Sequence, residues 1–205
     1  MARRVILFIH STLNGVVTGD PDGDKTDFSV WTREANVLGD ASSRLLQLFD
    51  RVDTVLLGRG TYDDLSRKWP VMQGRADAVD VGSRLAAKIN NASKLVATRN
   101  RQLTDLPWGE FSAAEPLTGE DVVEQIAALK SGAGGDVVIF GSPTLVRSLA
   151  DAGLIDEYLF VMHPVLVEVG ERLFERLETR TDLHLVSATP FVEDAVLLTY
   201  THAES

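Results

Sequence analysis

The chain contains no cysteine among its 205 residues. That excludes disulfides, thiolate metal sites and cysteine nucleophiles, and it suits a reducing cytoplasm. Cations are scarce: 20 Lys and Arg stand against 30 Asp and Glu, a net charge of −10. Nucleic acid is therefore not an expected partner, because phosphate backbones are held by cationic surfaces. A small anionic ligand is still admissible, since a local pocket can oppose the global charge. Near the N-terminus, "VILFIH" follows Arg3 and Arg4 but meets Ser11 and Asn14 at once. It is too short for a membrane span or a signal peptide and reads as a buried first strand.

Several motifs are missing as well. There is no H-E-x-x-H, no G-x-S-x-G and no P-loop lysine pattern. Gly58-x-Gly60 is followed by Asp63 where the dinucleotide fingerprint needs a third glycine. Asp20-x-Asp22-x-Asp24 starts like a calcium loop, but Lys25 stands at the glycine position and Trp31 at the final glutamate position. No metal is expected.

What is present alternates between two periods. "RVILFIH" (4–10), "VDTVLLG" (52–58), "SKLVATR" (93–99) and "DVVIFG" (136–141) are continuous apolar runs. Such runs indicate strands covered on both faces, as in a mostly parallel sheet. Helical patterns lie between them. Asp40 is placed to cap one helix, Thr118 and Asp121 to form a capping-box variant before a second, and Ser142-Pro143 to open a third that Gly153 ends. The last quarter reads as strands: "IDEYLFVMHPVLV" (155–167), "LHLVSATPF" (183–191) and "AVLLTYTH" (195–202). The final two are close enough for a hairpin. The expected fold is one α/β domain over 1–205, a three-layer α/β/α sandwich with a mainly parallel mixed sheet and an antiparallel C-terminal edge.

Two strand-to-helix junctions carry the functional reading. They are Gly58-Arg59-Gly60-Thr61 and Phe140-Gly141-Ser142-Pro143-Thr144. In a parallel sheet both lie at carboxyl ends of strands, where ligands bind, and both present helix N-termini that attract anions. If the strands are neighbours, the junctions can hold a pyrophosphate, with Arg59 reaching a phosphate and Arg99 ending a third strand. The plainer reading is that the glycines turn corners and Ser142 caps a helix. His10 and His163 end apolar strands. They either face a pocket or are satisfied structural histidines.

These residues carry a resemblance. "VLLGRGTYDDL" resembles the strand and Gly-Arg-x-Thr turn of the dihydrofolate reductase superfamily. "DVVIFGSPTLVRSLADAGLIDEYLFVMHPVLVEVGERLFE" (136–175) is similar to its riboflavin-biosynthesis reductase branch. "FIHSTLNGVVTG" resembles the family's first strand and S-L-D-G turn, and "SVWTREAN" a following Trp-Thr segment. The resemblance implies NADPH along the carboxyl edge of the sheet. It puts Gly58, Arg59 and Thr61 at the cofactor phosphates, Thr98 and Arg99 near the adenosine 2′-phosphate, and Gly141, Ser142 and Thr144 under the pyrophosphate. It also implies a homodimer.

Three positions depart from the family pattern. Asn14 replaces the turn's aspartate, Phe140 replaces the first glycine of a pair, and Glu168-Val169-Gly170 replaces a Gly-x-Gly. An amide can hydrogen-bond a substrate but does not exchange protons at neutral pH. Asn14 and Asp40 are therefore the candidate substrate contacts. Asp40 is the candidate acid, with the N-cap as its other reading, and Asp27 is a further candidate in the turn-rich stretch 18–28, which is expected to act as a lid. The expected activity is NADPH-dependent reduction of a small heterocyclic or carbonyl-like substrate. The alternative is a nucleotide-binding or regulatory protein on the same fold.

Overall fold

A computed structural model describes residues 2–18, 35–72, 80–119, 121–175 and 177–203. The expected lid from residue 19 onward, the calcium-like stretch and Asp27 lie outside the described residues. The chain packs as two compact units: residues up to Val5 with Ser42–Ser142, and Ile6–Ala41 with Pro143–Ser205.

The first unit holds four parallel strands in the order β4, β3, β2, β5. These are β2 (Val52–Gly58), β3 (Ser93–Thr98), β4 (Glu115–Thr118) and β5 (Asp136–Phe140). The apolar runs are buried as their composition requires: Val55, Leu56, Leu57, Val137, Val138 and Ile139 are each 0% exposed. Its helices are α2 (Arg59–Met72), α3 (Val81–Asn91) and α4 (Val122–Ser131). α3 is capped by Asp80, whose carboxylate accepts the Ser83 N–H at 2.9 Å, and it buries Leu85, Ala86 and Ile89. Arg3 ties the chain start to this unit by an ion pair with Asp53 and a 2.7 Å bond to the Gly135 carbonyl. The capping box expected at Thr118 does not form. Thr118 instead ends β4, and Asp121 occupies the N-cap position without a side-chain bond to the helix. β4 is short and only half-buried, so its sequence carries little apolar signal.

The second unit holds β1 (Val5–Thr12, from Ile6 on), β6 (Glu157–His163), β8 (Val196–His202) and β7 (Leu183–Pro190), in that order. β1 and β6 are parallel, while β6–β8 and β8–β7 are antiparallel. The hairpin turn places Glu193 and Asp194 at φ of 57° and 59°, and Phe191 N–H bonds Ala195 O at 2.8 Å. α5 (Pro143–Asp151) opens on proline as expected. Its end is a Schellman motif: Gly153, at φ 65°, donates to Ala150 O and Leu154 to Leu149 O. α1 (Ala35–Leu48) starts five residues before Asp40, so Asp40 is not its cap. Strand pairing in both units fits the α/β class with an antiparallel C-terminal edge.

Candidate functional site

In the first unit the structure places β2 between β3 and β5. Leu57 pairs with Phe140 and Gly58 with Ala97. The carboxyl ends of three parallel strands therefore lie side by side, and Gly58, Arg59, Thr61, Thr98, Arg99, Gly141 and Ser142 are brought to one edge. The condition set by the sequence, that the two glycine junctions come from neighbouring strands, is met.

Ser142 holds this edge together. It adopts a positive φ of 61°, which few residues other than glycine do. The backbone N–H of Gly58 donates to its hydroxyl at 2.6 Å. That hydroxyl is also within reach of Thr61 Oγ1 at 2.9 Å and the Phe140 carbonyl at 3.1 Å. The expected capping role is thus replaced: Ser142 spends its hydroxyl on the neighbouring strand end. Two glycines are explained by the same packing. A Cβ on Gly58 would meet Ser142 Oγ at 2.8 Å, and one on Gly141, at φ 55°, would meet Thr61 Oγ1 at 3.0 Å.

Gly60 is different. It is the second residue of α2, and a Cβ built on it meets nothing within 4 Å. Glycine inside a helix costs about 1 kcal/mol relative to alanine, and here the protein's own packing does not require it. It leaves a bare patch of backbone on the first turn of a helix, where unsatisfied N–H groups gather.

The two arginines differ in readiness. Arg59 is engaged by Asp63, Nε donating to its two oxygens at 2.9 and 3.0 Å, and its guanidinium stands 6.0 Å from the Tyr62 ring centre. Both partners of that pair are over 40% exposed, so the bond is weak enough for a ligand anion to displace. Arg99 is exposed and makes no hydrogen bond or ion pair among the described residues. Thr98 is buried, and its hydroxyl accepts the Asn100 N–H at 3.1 Å, which fixes the turn that presents Arg99. A cavity of about 490 Å³ opens at the opposite, amino end of β2, against Val52, Asp53, Arg84 and Lys88, and is separate from this edge.

The remaining candidates lie in the second unit. Thr144 is exposed in the first turn of α5 and lines a polar cavity of about 410 Å³ with Arg147 and Glu171. Asn14 is consumed by the backbone. Its Nδ2 donates to Val167 O at 2.7 Å, and its Oδ1 accepts Val167 N–H at 3.3 Å and the Thr12 hydroxyl at 2.8 Å. The side-chain amide pairs with the Val167 peptide as a neighbouring strand would. Only an amide can both donate and accept there, which is a structural reason for asparagine in place of the family's aspartate. Asp40 accepts the Val192 N–H at 3.0 Å, pinning the hairpin turn to α1.

His10 and His163 meet. Nδ1 of His10 lies 2.9 Å from Nε2 of His163, with the rings stacked 5.2 Å apart. Burial holds His163 neutral, its pKa lowered to about 4. The two are 153 positions apart, and the sequence marks each as a strand end without marking the contact.

Comparison with known proteins decides the family. Residues 3–197 match the RibD C-terminal domain. The chain belongs to the RibD C-terminal domain family. Among its curated relatives, the uncharacterized protein YyaP of Bacillus subtilis (strain 168) is 24% identical over 97% of this chain and 94% of its own. Among solved structures, a putative riboflavin biosynthesis protein from Shewanella sp. PV-4 superposes with a TM-score of 0.61 at 18% identity over the whole of both chains. Dihydrofolate reductase from Enterococcus faecalis, solved in complex with NADP(H), superposes with a TM-score of 0.56 at 16% identity, again over both whole chains. The RibD-family match spans both units, and the dihydrofolate reductase-like fold expected from the sequence stands. The match to a reductase-domain family supports a reductase-type protein.

Proposed function

We propose that this RibD-family chain is an NADPH-dependent reductase. Gly60 carries the reading. It is the one glycine of the β2–α2 junction that the chain's own packing does not require, at a helix start that opens on the exposed Arg59, with the exposed Arg99 following the neighbouring strand β3. A phosphate approaching that backbone accounts for it. The residues of the first unit fit a dinucleotide: Gly58, Arg59, Gly60 and Thr61 would take one phosphate, Gly141 and Ser142 would form the neighbouring wall, and Thr98 and Arg99 would receive the 2′-phosphate. NADPH, when bound, supplies a hydride for a small heterocyclic or carbonyl-like substrate. The solved dihydrofolate reductase neighbour carries NADP(H), which agrees with this choice. A homodimer and a cytoplasmic location belong to the same proposal. Among the described residues no helix is long and apolar enough to cross a membrane.

Isothermal titration with NADPH tests the reading, followed by a panel of substrates that includes 7,8-dihydrofolate. Binding and turnover support a reductase. Binding with no turnover across the panel favours a nucleotide-binding or regulatory protein. No heat at millimolar NADPH overturns both.

A further inference from the structure

We propose that the cavity at the amino end of β2 is a second ligand site, which takes a small organic acid with an apolar body. The site lies wholly within the first unit and does not depend on the reductase reading. Val52 opens β2 beside this cavity, and Gly58 ends the strand at the dinucleotide edge. The strand between them is about 20 Å long, so the two sites are distinct.

The packing of α3 makes the cavity. Leu85, Ala86 and Ile89 are the buried face of that helix. Arg84, Ala87, Lys88 and Asn91 form a second stripe at i, i+3, i+4 and i+7, and all four line the cavity. Phe49 and Val52, both buried, supply apolar wall from outside the helix. Ala87 is the small member of the stripe, and a large side chain there would fill the space. The volume of about 490 Å³ suits a small molecule, and apolar walls with a few polar groups are the usual lining of such sites.

The charges set the ligand class. Arg84 and Lys88 are exposed and one helical turn apart, and neither side chain has a hydrogen bond or ion pair among the described residues. Lys88 also lies in the last turn of α3, where a cation complements the helix dipole, but Arg84 has no such role. The acid in the lining, Asp53, does not serve them. One of its oxygens pairs with Arg3 and accepts the Thr54 hydroxyl at 2.7 Å, and the other accepts the Gly135 N–H at 2.6 Å. Two unneutralised cations therefore stand beside an apolar cavity, in a chain where acids outnumber bases 30 to 20. A carboxylate between them can accept from the Arg84 fork and from the Lys88 ammonium. Its apolar body then covers Phe49, Val52 and Ala87. The net charge of −10 favours a small ligand, because the field of the whole surface repels a polyanion or an acidic protein far more than a single carboxylate.

The test titrates 2-naphthoate and 2-naphthamide, alike in shape and different by one charge, into nitrogen-15-labelled protein without cofactor. Naphthoate should move the amide signals of Arg84, Ala87, Lys88, Asn91, Phe49 and Val52 and leave those of Gly58, Gly60, Gly141 and Ser142 in place. Naphthamide should bind about fivefold more weakly, the scale for two exposed ion pairs. The double variant Arg84→Gln, Lys88→Gln should bind the two ligands equally and melt as the wild type does. Ala87→Leu should abolish both; if it fails to fold, the charge variant still decides. No saturable shift at millimolar naphthoate overturns the site, and equal affinities in the wild type overturn the acid class. Shifts confined to the glycine junctions place the anion at the dinucleotide edge and also overturn the proposal. Signals of α3 that move with protein concentration alone would put a second copy in the cavity, and the small acid would be rejected. No outcome uses NADPH, so failure of the reductase reading leaves this site standing.

Discussion

The backbone N–H of Gly58 ends 2.6 Å from the Ser142 hydroxyl, and a Cβ placed on Gly58 would sit 2.8 Å from the same oxygen. Ser142 closes the gap between β2 and β5 only because Gly58 has no side chain. Gly58→Ala therefore overpacks the junction and lowers stability by about 1–3 kcal/mol, read as a lower urea midpoint.

Gly60→Ala should do the opposite. Nothing crowds that position, and alanine favours a helix by about 1 kcal/mol over glycine. The variant should melt at or above the wild-type temperature and yet bind NADPH more weakly by calorimetry. An unchanged NADPH affinity would remove the phosphate from the first turn of α2.

Arg99→Ala should cost NADPH about 1–3 kcal/mol of binding, the range for a charge-assisted hydrogen bond, and leave NADH unaffected. Arg99 has no competing partner among the described residues, whereas Arg59 must first leave Asp63. The cofactor preference should therefore fall mainly with Arg99. Equal affinities for the two cofactors in the wild type would show that neither arginine reads the 2′-phosphate.

Strand content, the parallel pairing and the two glycine junctions were legible in the sequence because buried strands write continuous apolar runs and tight turns write glycine. Gly153 was legible for the same reason: its positive φ leaves glycine as the ordinary choice. What stayed hidden depends on long-range partners. Ser142 reads as a helix cap until β5 is seen beside β2. Asp40 reads as a cap because the start of α1 lies in a stretch with weak periodicity, and its true partner, Val192, is 152 positions away. Asn14 reads as a lost acid until its amide is found against the Val167 peptide. β4 went unseen because one exposed and three half-buried residues carry no pattern.

Asn14→Asp tests that clasp. A carboxylate would face the Val167 carbonyl that Nδ2 now serves at 2.7 Å, leaving two acceptors opposed. The expected loss is about 1–3 kcal/mol, seen in urea unfolding at pH 7. Restoring the family's aspartate should thus weaken the fold, and a stability equal to wild type would show that the amide's donor is dispensable.

Acid should unfold the protein in a window set by His163. Its pKa falls from 6.5 to about 4 on burial, so between those values the unfolded chain binds more protons than the folded one. The contribution is complete above about pH 6.5 and drains away as pH falls toward 4. Urea midpoints taken from pH 7 to 4.5 should fall more steeply in the wild type than in His163→Gln. Parallel slopes would mean that His163 is solvated or charged in the folded state.

The last prediction concerns β7. It ends the strand order of its unit, with Leu185 46% and Val186 56% exposed and no Lys, Arg, Asp or Glu along Leu183–Pro190. An apolar edge with open backbone groups invites pairing with another strand, and proteins usually blunt such edges with charge. Pro190 blunts only the end of this one. A second copy could lay its own β7 alongside, antiparallel across a two-fold axis, the commonest symmetry of oligomers. Light scattering should then give twice the 22.4 kDa chain mass at micromolar concentration. Val186→Lys should halve it, since a cation at the exposed bulge position makes self-pairing bring like charges together. A wild-type mass of one chain across a hundredfold dilution range would overturn the dimer. A dimer that survives Val186→Lys would move the interface away from β7.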